Sequence, residues 1–272
     1  MASPLLTPPD GRTFVMGVVN VTPDSFFDGG RFLRFDHAVG HAIDLVEHGA
    51  DILDVGGESS RPGSDPTPEQ EELERVAPVI RELVRTVSVP ISIDTYKPSV
   101  ARACLALGAK IVNDITGFED AEMRRVTAEA GAAAVIMHMR GTPKTMQREI
   151  EYTDVVGEIR EYLLGQAEAL RAAGVTDIAI DPGIGFGKTA AHNFEILNRL
   201  GELANAGYPV LVGPSRKSFL GSLPSNLPPE DRLEGAIAAC CAAVMHGARI
   251  VRVHDVQACK RAVEVIDRVR AS

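Results

Sequence analysis

Eight short apolar runs in this 272-residue chain each end on residues that can hydrogen-bond or ionise, and those ends are where its chemistry would lie. In order they are Asn20, Asp54, Asp94, Asn113 with Asp114, His138, Asp181, Ser215 with Arg216 and Lys217, and Arg252 with His254. Asp54, Asp94, Asn113 and Asp181 offer acceptors and Lys217 offers a donor. That set suits a flat, nitrogen-rich heterocycle, whose ring N–H and amino groups need acceptors and whose carbonyl needs a donor. Burying one such group unpaired costs about 1–3 kcal/mol, so a set this polar calls for an equally polar ligand. A second set favours anions. Ser59, Ser60 and Arg61 of "ESSRPG", with Arg252 and His254 of "RVHD", can bind phosphate oxygens through charge-assisted hydrogen bonds. Asn20, with aspartates nearby, can supply oxygen to Mg²⁺.

"IAIDPGIGFGKT" ends like a nucleotide-binding P-loop, but the first glycine of that pattern falls on Pro182, and the pattern fails. The glycine-rich turn that remains can let a planar ligand approach the backbone. Strand-end Asp and Asn also cap helices and close turns. Asp114 is the best example: its side chain and that of Asn113 point to opposite faces, so one of the pair is expected to look away from a ligand. His138 reads as a buried structural histidine, and Lys188 as a rim residue. His37, His41 and His48 share one helix without a completing carboxylate or cysteine and read as surface.

The elements that position these ends repeat one unit: an amphipathic helical stretch, a glycine near its end, then a short apolar run. "EHGADILDV", "ALGAKIVND", "EAGAAAVIM", "AAGVTDIAI", "NAGYPVLVG" and "MHGARIVRV" carry the repeat, and "FVMGVVN" and "VPISID" complete eight strands. "FDHAVGHAIDLVEHG", "PEQEELERVAPVIRELVRT", "DVVGEIREYLLGQAEALRAAG" and "AAHNFEILNRLGELANAG" read as connecting helices. Strands alternating with helices imply parallel pairing. Eight units predict a (β/α)8 TIM barrel with its site at the C-terminal ends of the strands. A doubly wound sheet is the rival, but "NVTPDSFFDGGRF" follows the first strand in place of G-x-G-x-x-G. No linker-like segment divides residues 1–272, which are expected to form a single domain.

Composition sets outer limits. A hydrophobic fraction of 45% with 24% charged residues is that of a globular protein, and a net charge of -9 argues against a nucleic-acid partner. Cys104, Cys240, Cys241 and Cys259 form no C-x-x-C pair or metal spacing and read as reduced thiols. The longest apolar run, "AIAACCAAVM", is half of the roughly 20 residues a membrane helix needs. No membrane partner and a cytoplasmic location are expected. "EGAIAACCAAVMHGA" is apolar on most faces, so a homodimer through it is expected as well.

"MGVVNVTPDSFFDGG", "DVGGESSRPG", "SIDTYKP", "VNDITG", "IMHMRGTPKTMQ", "DPGIGFGK", "GPSRKSFLG" and "RVHDV", in this order across nearly the whole chain, resemble the dihydropteroate synthase family. The resemblance implies a barrel that joins 6-hydroxymethyl-7,8-dihydropterin diphosphate to p-aminobenzoate, yielding dihydropteroate and diphosphate. It implies that Asp94, Asn113, Asp181 and Lys217 hold the pterin and that Met139 packs on its face. Asn20 would sit at Mg²⁺ and diphosphate, while Ser60, Arg252 and His254 would grip the diphosphate. Ser60 stands where the family commonly has threonine and keeps the hydroxyl. Phe186, Arg61, Pro62 and Ser218 would border the p-aminobenzoate slot. Because an aromatic amine is a weak nucleophile, diphosphate should depart ahead of attack. The segments after the first two strands would then close as lids, with Asp28, in competition with Asp24, stabilising the cation. Lys217, Arg252 and His254 join Asp28 as the expected catalytic residues. A Schiff-base aldolase using Lys217, a pterin-binding methyltransferase and a non-catalytic pterin-binding paralogue remain alternatives at this point.

Overall fold

The computed structural model describes residues 4–22, 31–148, 150–223 and 225–272. Asp24 and Asp28, named above for cation stabilisation, lie outside the described residues. Eight parallel strands follow in sequence: β1 (Phe14–Asn20), β2 (Ile52–Gly56), β3 (Ile91–Asp94), β4 (Ile111–Asp114), β5 (Ala133–Met137), β6 (Ile178–Asp181), β7 (Leu211–Val212) and β8 (Ile250–Val253). They pair in the order β6-β5-β4-β3-β2-β1-β8-β7. A parallel bridge between Ile180 and Val210 brings the two ends of that sheet together, which makes it a (β/α)8 barrel.

Helices α1 (Arg31–Glu47), α2 (Glu69–Thr86), α3 (Pro98–Leu107), α4 (Ala121–Glu129) and α5 (Val155–Ala173) alternate with the first six strands. The glycine of the repeat does what its position requires. Gly108 and Gly174 end α3 and α5 in the left-handed conformation, with φ of 115° and 103°, and their N–H groups close the last helical turn. "AAHNFEILNRLGELANAG" departs from its expectation as one helix, forming α6 (Ala190–Asn198) and α7 (Gly201–Ala204) with a break at Arg199 and Leu200. Gly201 is a poor interior residue for a continuous helix. The Arg199 guanidinium, held by Asp154, Glu195 and Glu202, anchors the break to α5. A short α8 (Ser218–Gly221), then α9 (Leu233–Met245) and α10 (Val256–Arg270), complete the ring.

The strand pleat sorts the barrel into two cores. Met16, Ile52, Ile111, Ala133, Val135, Ala179, Leu211 and Ile250 fill the interior, and Leu6 joins this inner cluster. Val15, Val19, Leu53, Val55, Ile91, Ile93, Val112, Ile136, Ile180 and Val253 belong to the larger cluster beneath the helices. Because side chains alternate with a period of two, Asn20, Asp54, Asp94, Asn113, Asp181 and Arg252 share parity with the interior set and face into the barrel. Asp114 has the opposite parity. Fully buried, it accepts hydrogen bonds from the backbone N–H of Thr116 and Phe118 and from the Thr116 hydroxyl.

Candidate active site

Register brings the polar ends level. Asn20 stands beside Gly56, Gly56 beside Asp94, Asp94 beside Asn113, and Met137 beside Asp181. Two residues deeper, Asp54 is fully buried next to Ser92 and accepts from the Asn113 side-chain amide at 3.0 Å. Arg252 then ties the group together: its Nε donates to Asp54 at 2.6 Å and its terminal nitrogen to Asp94 at 2.6 Å. Asp54 and Asp94 therefore share one cation, carried on β8 and reaching them across β1. Oδ1 of Asp54 and Oγ of Ser92 have no protein hydrogen-bond partner among the described residues, so the floor of the mouth is polar.

Burial sets the ionisation of these groups. It pushes the Asp94 carboxyl up to about 7 despite the opposing charge of Arg252, and that of Asp181 up to about 6, although the Gly183 N–H donates to it at 2.7 Å. It pulls Lys217 down to about 8, with Arg252 adding to the shift. The Lys217 ammonium lies 3.9 Å from the centre of the Phe186 ring, a cation–π arrangement on the side of the mouth lined by Phe186, Met137, Ile115 and Met146, with Met139 and Tyr96 packed against them. Acceptors on β3, β4 and β6 thus face a donor carried after β7, around an opening with one apolar wall.

The anion-friendly residues occupy the rim. Arg61, Pro62 and Ser218 are exposed, and Ser60 is half-buried. His254 is half-buried, and its Nδ1 lies 3.0 Å from Oγ of Ser215. Burial, with the charges of Arg216, Arg252, Lys217 and Arg61, holds the His254 imidazole down at about 3 and so neutral. Arg216, with φ of 59°, turns outward to pair with Asp255 at 3.0 Å.

Three partnerships escape the sequence reading. Lys188 is not on the rim: it is 3% exposed, and its ammonium donates to Nδ1 of His138 at 3.1 Å and to the carbonyls of His138 and Phe186 at 3.1 and 2.8 Å. His138 is the buried structural histidine expected, held down at about 3 by burial and by Lys188. The glycine-rich turn after β6 also serves the protein's own backbone. A Cβ on Gly183 would fall 2.0 Å from the His138 carbonyl oxygen, so only glycine allows this loop to lie against the end of β5. Lys97 is buried between Glu58 and Glu72, and Tyr96 donates to Glu58 at 2.8 Å. Because Glu58 precedes Ser59, Ser60 and Arg61, this network anchors the base of the segment after β2. Ser215, the partner of His254, is the third.

His37 and His41 on α1 and His48 just after it are exposed, and all four cysteines are free thiols. No helix among the described residues is long and apolar enough to cross a membrane.

The geometry has parallels. The model of the family described as "Pterin binding enzyme" matches residues 16–254. The dihydropteroate synthase of Synechocystis sp. is 47% identical over 260 residues, which cover 94% of this chain and 90% of that protein. A solved Xanthomonas albilineans dihydropteroate synthase with 4-aminobenzoic acid superposes with a TM-score of 0.90 at 43% identity, covering 96% of this chain and 94% of that one. The Xanthomonas albilineans enzyme in complex with 7,8-dihydropteroate gives a TM-score of 0.87 at 41% identity over 96% and 95% of the two chains. A barrel with this polar mouth, matched over nearly its full length by enzymes of one name, belongs to the dihydropteroate synthase family of pterin-binding enzymes.

Proposed function

We propose that the protein joins 6-hydroxymethyl-7,8-dihydropterin diphosphate to p-aminobenzoate, giving 7,8-dihydropteroate and diphosphate in folate biosynthesis. The observation that carries this reading is the convergence of Asp94, Asn113 and Asp181, opposed by Lys217, on one barrel mouth. The pterin lies flat between them: Asp181 accepts from its amino and ring N–H groups, Asn113 and Asp94 bind its other edge, and Lys217 donates to its carbonyl. Met139 packs on the ring face. p-Aminobenzoate enters between the Phe186 ring and Arg61, Pro62 and Ser218.

Diphosphate lies toward Asn20, Ser60, Arg252 and His254. No three His, Cys, Asp or Glu side chains gather as a metal cage among the described residues, and Asp54 and Asp94 are engaged by Arg252. Mg²⁺ keeps several waters and relies on few protein ligands beside substrate phosphates, and the half-buried Asn20 at the mouth would offer it a carboxamide oxygen. Bound there with the diphosphate, the ion supplies charge neutralisation to the leaving group.

The protein's own groups do the rest. The methylene C–O bond breaks first, its electron pair leaving on the diphosphate oxygen, where the hydrogen bonds of Ser60, Arg252 and His254 take up the growing charge. The carboxylates of Asp94 and Asp181 offset the cation left on the pterin, with Asp28 assigned to the same task. The amine nitrogen then forms the new C–N bond and releases a proton to solvent. Residues 1–272 act as a single domain, a cytoplasmic homodimer whose contact is the apolar α9 and α10 face, where Met245, Val265 and Val269 are exposed. The test is release of diphosphate by the purified protein. It should require the pterin diphosphate, p-aminobenzoate and Mg²⁺ together, and release independent of p-aminobenzoate would overturn the reading.

A further inference from the structure

We propose that Ser215 is a positioning residue that fixes the tautomer of His254, with Nδ1 accepting from the seryl hydroxyl and Nε2–H presented to the departing diphosphate. The proposal rests on the reading of Arg252 and His254 as the diphosphate grip.

Two contacts decide the direction of the hydrogen bond. The His254 backbone N–H donates to Oγ of Ser215 at 3.3 Å, and the same oxygen lies 3.0 Å from Nδ1 of the His254 ring. Ser215 is buried, at 6% exposure, and its hydroxyl hydrogen has no acceptor other than Nδ1 among the described residues. Were Nδ1 protonated, the seryl oxygen would receive two donors while its own hydrogen stayed buried and unpaired, which buried polar groups avoid. With the hydroxyl donating, all three groups are satisfied. The imidazole is neutral, because burial and the surrounding Arg216, Arg252, Lys217 and Arg61 oppose a second proton. In a neutral ring one nitrogen donates and the other accepts, so Nδ1 as acceptor makes Nε2 the donor.

The consequence is chemical. The opposite tautomer would aim the Nε2 lone pair at the leaving group and repel it, whereas Nε2–H strengthens its hydrogen bond as charge builds on the diphosphate oxygen. Ser215 lies two residues before Lys217, so one short segment after β7 carries both the pterin donor and the element that orients the diphosphate donor.

The experiment uses the full-length protein labelled with ¹⁵N histidine, the His254 signals being assigned by their loss in His254→Gln. The wild type should show an unprotonated Nδ1 and a protonated Nε2, and Ser215→Ala should shift this signature toward mixed tautomers. In the same variant kcat should fall on the order of tenfold, the equivalent of one net hydrogen bond. KM for p-aminobenzoate should stay unchanged, and Ser215→Thr should restore kcat. A protonated Nδ1 in the wild type would overturn the proposal, as would an unaltered spectrum and kcat in Ser215→Ala. Inorganic diphosphate with Mg²⁺ should move the Nε2 resonance. If the tautomer is as stated and that resonance does not move, the diphosphate reading fails and the tautomer assignment stands.

Discussion

Arg252 at the end of β8 donates to Asp94 at the end of β3 at 2.6 Å, and the same guanidinium holds the fully buried Asp54 at 2.6 Å. A residue assigned to the leaving group is thus also the counter-ion of a residue assigned to the pterin. Removing one partner of a buried ion pair typically costs about 3–5 kcal/mol, because the charge left behind stays unpaired. Arg252→Ala should therefore lower thermal stability and weaken binding of the bare pterin alcohol, as well as slowing diphosphate release. Calorimetry showing full pterin affinity in this variant would mean that the two subsites are independent.

Asp181 carries a stability cost that its ligand offsets. Its carboxyl is raised from 3.8 to about 6 by burial, so the folded state prefers it protonated. The stabilisation from that preference is complete below the unfolded value and is lost as pH rises through about 6. Asp181→Asn should be more stable than wild type at pH 8, by on the order of 2–3 kcal/mol in denaturant unfolding, with the difference disappearing only below about pH 4. A difference that is the same at both pH values would contradict the burial argument.

Lys188 bolts the loop after β6 to the end of β5 through three acceptors. Lys188→Met leaves those acceptors buried without a donor, at about 1–3 kcal/mol each before relaxation. Since one of them is the Phe186 carbonyl, KM for p-aminobenzoate should rise several-fold while pterin affinity changes little. Steady-state kinetics with each substrate varied in turn would reveal the opposite pattern if the loop contributed to the pterin alone.

Lys97 neutralises Glu58 and Glu72 at the base of the segment that bears Ser60 and Arg61. Lys97→Met should cost about 3–5 kcal/mol in denaturant unfolding, as expected for two carboxylates left together in a buried site. Adding Glu72→Gln to Lys97→Met should recover part of the loss. Simple additivity of the two changes would show that they do not share a network.

Much of the site is legible in the amino-acid sequence itself. Asn20, Asp54, Asp94, Asn113 and Asp181 each close an apolar run, and strand parity alone sends them to the interior and turns Asp114 away. The glycines before the strands mark the αβ turns as the backbone demands. What periodicity does not encode is the partner across the ring. Arg252 meets Asp54 only because β8 pairs with β1 and β1 with β2. Lys188 reads as a rim residue because a lysine after a glycine-rich turn looks solvated, and its burial depends on the His138 carbonyl coming close to Gly183. The break between α6 and α7 depends on an arginine whose partner Asp154 precedes a different helix.

If Asp181 and its neighbours form one pterin pocket, titration calorimetry of the pterin alcohol will separate wild type from Asp181→Ala. Loss of a buried charged acceptor serving several ligand donors should weaken binding by about a hundredfold or more. Equal affinity in the two proteins would mean that the heterocycle binds elsewhere.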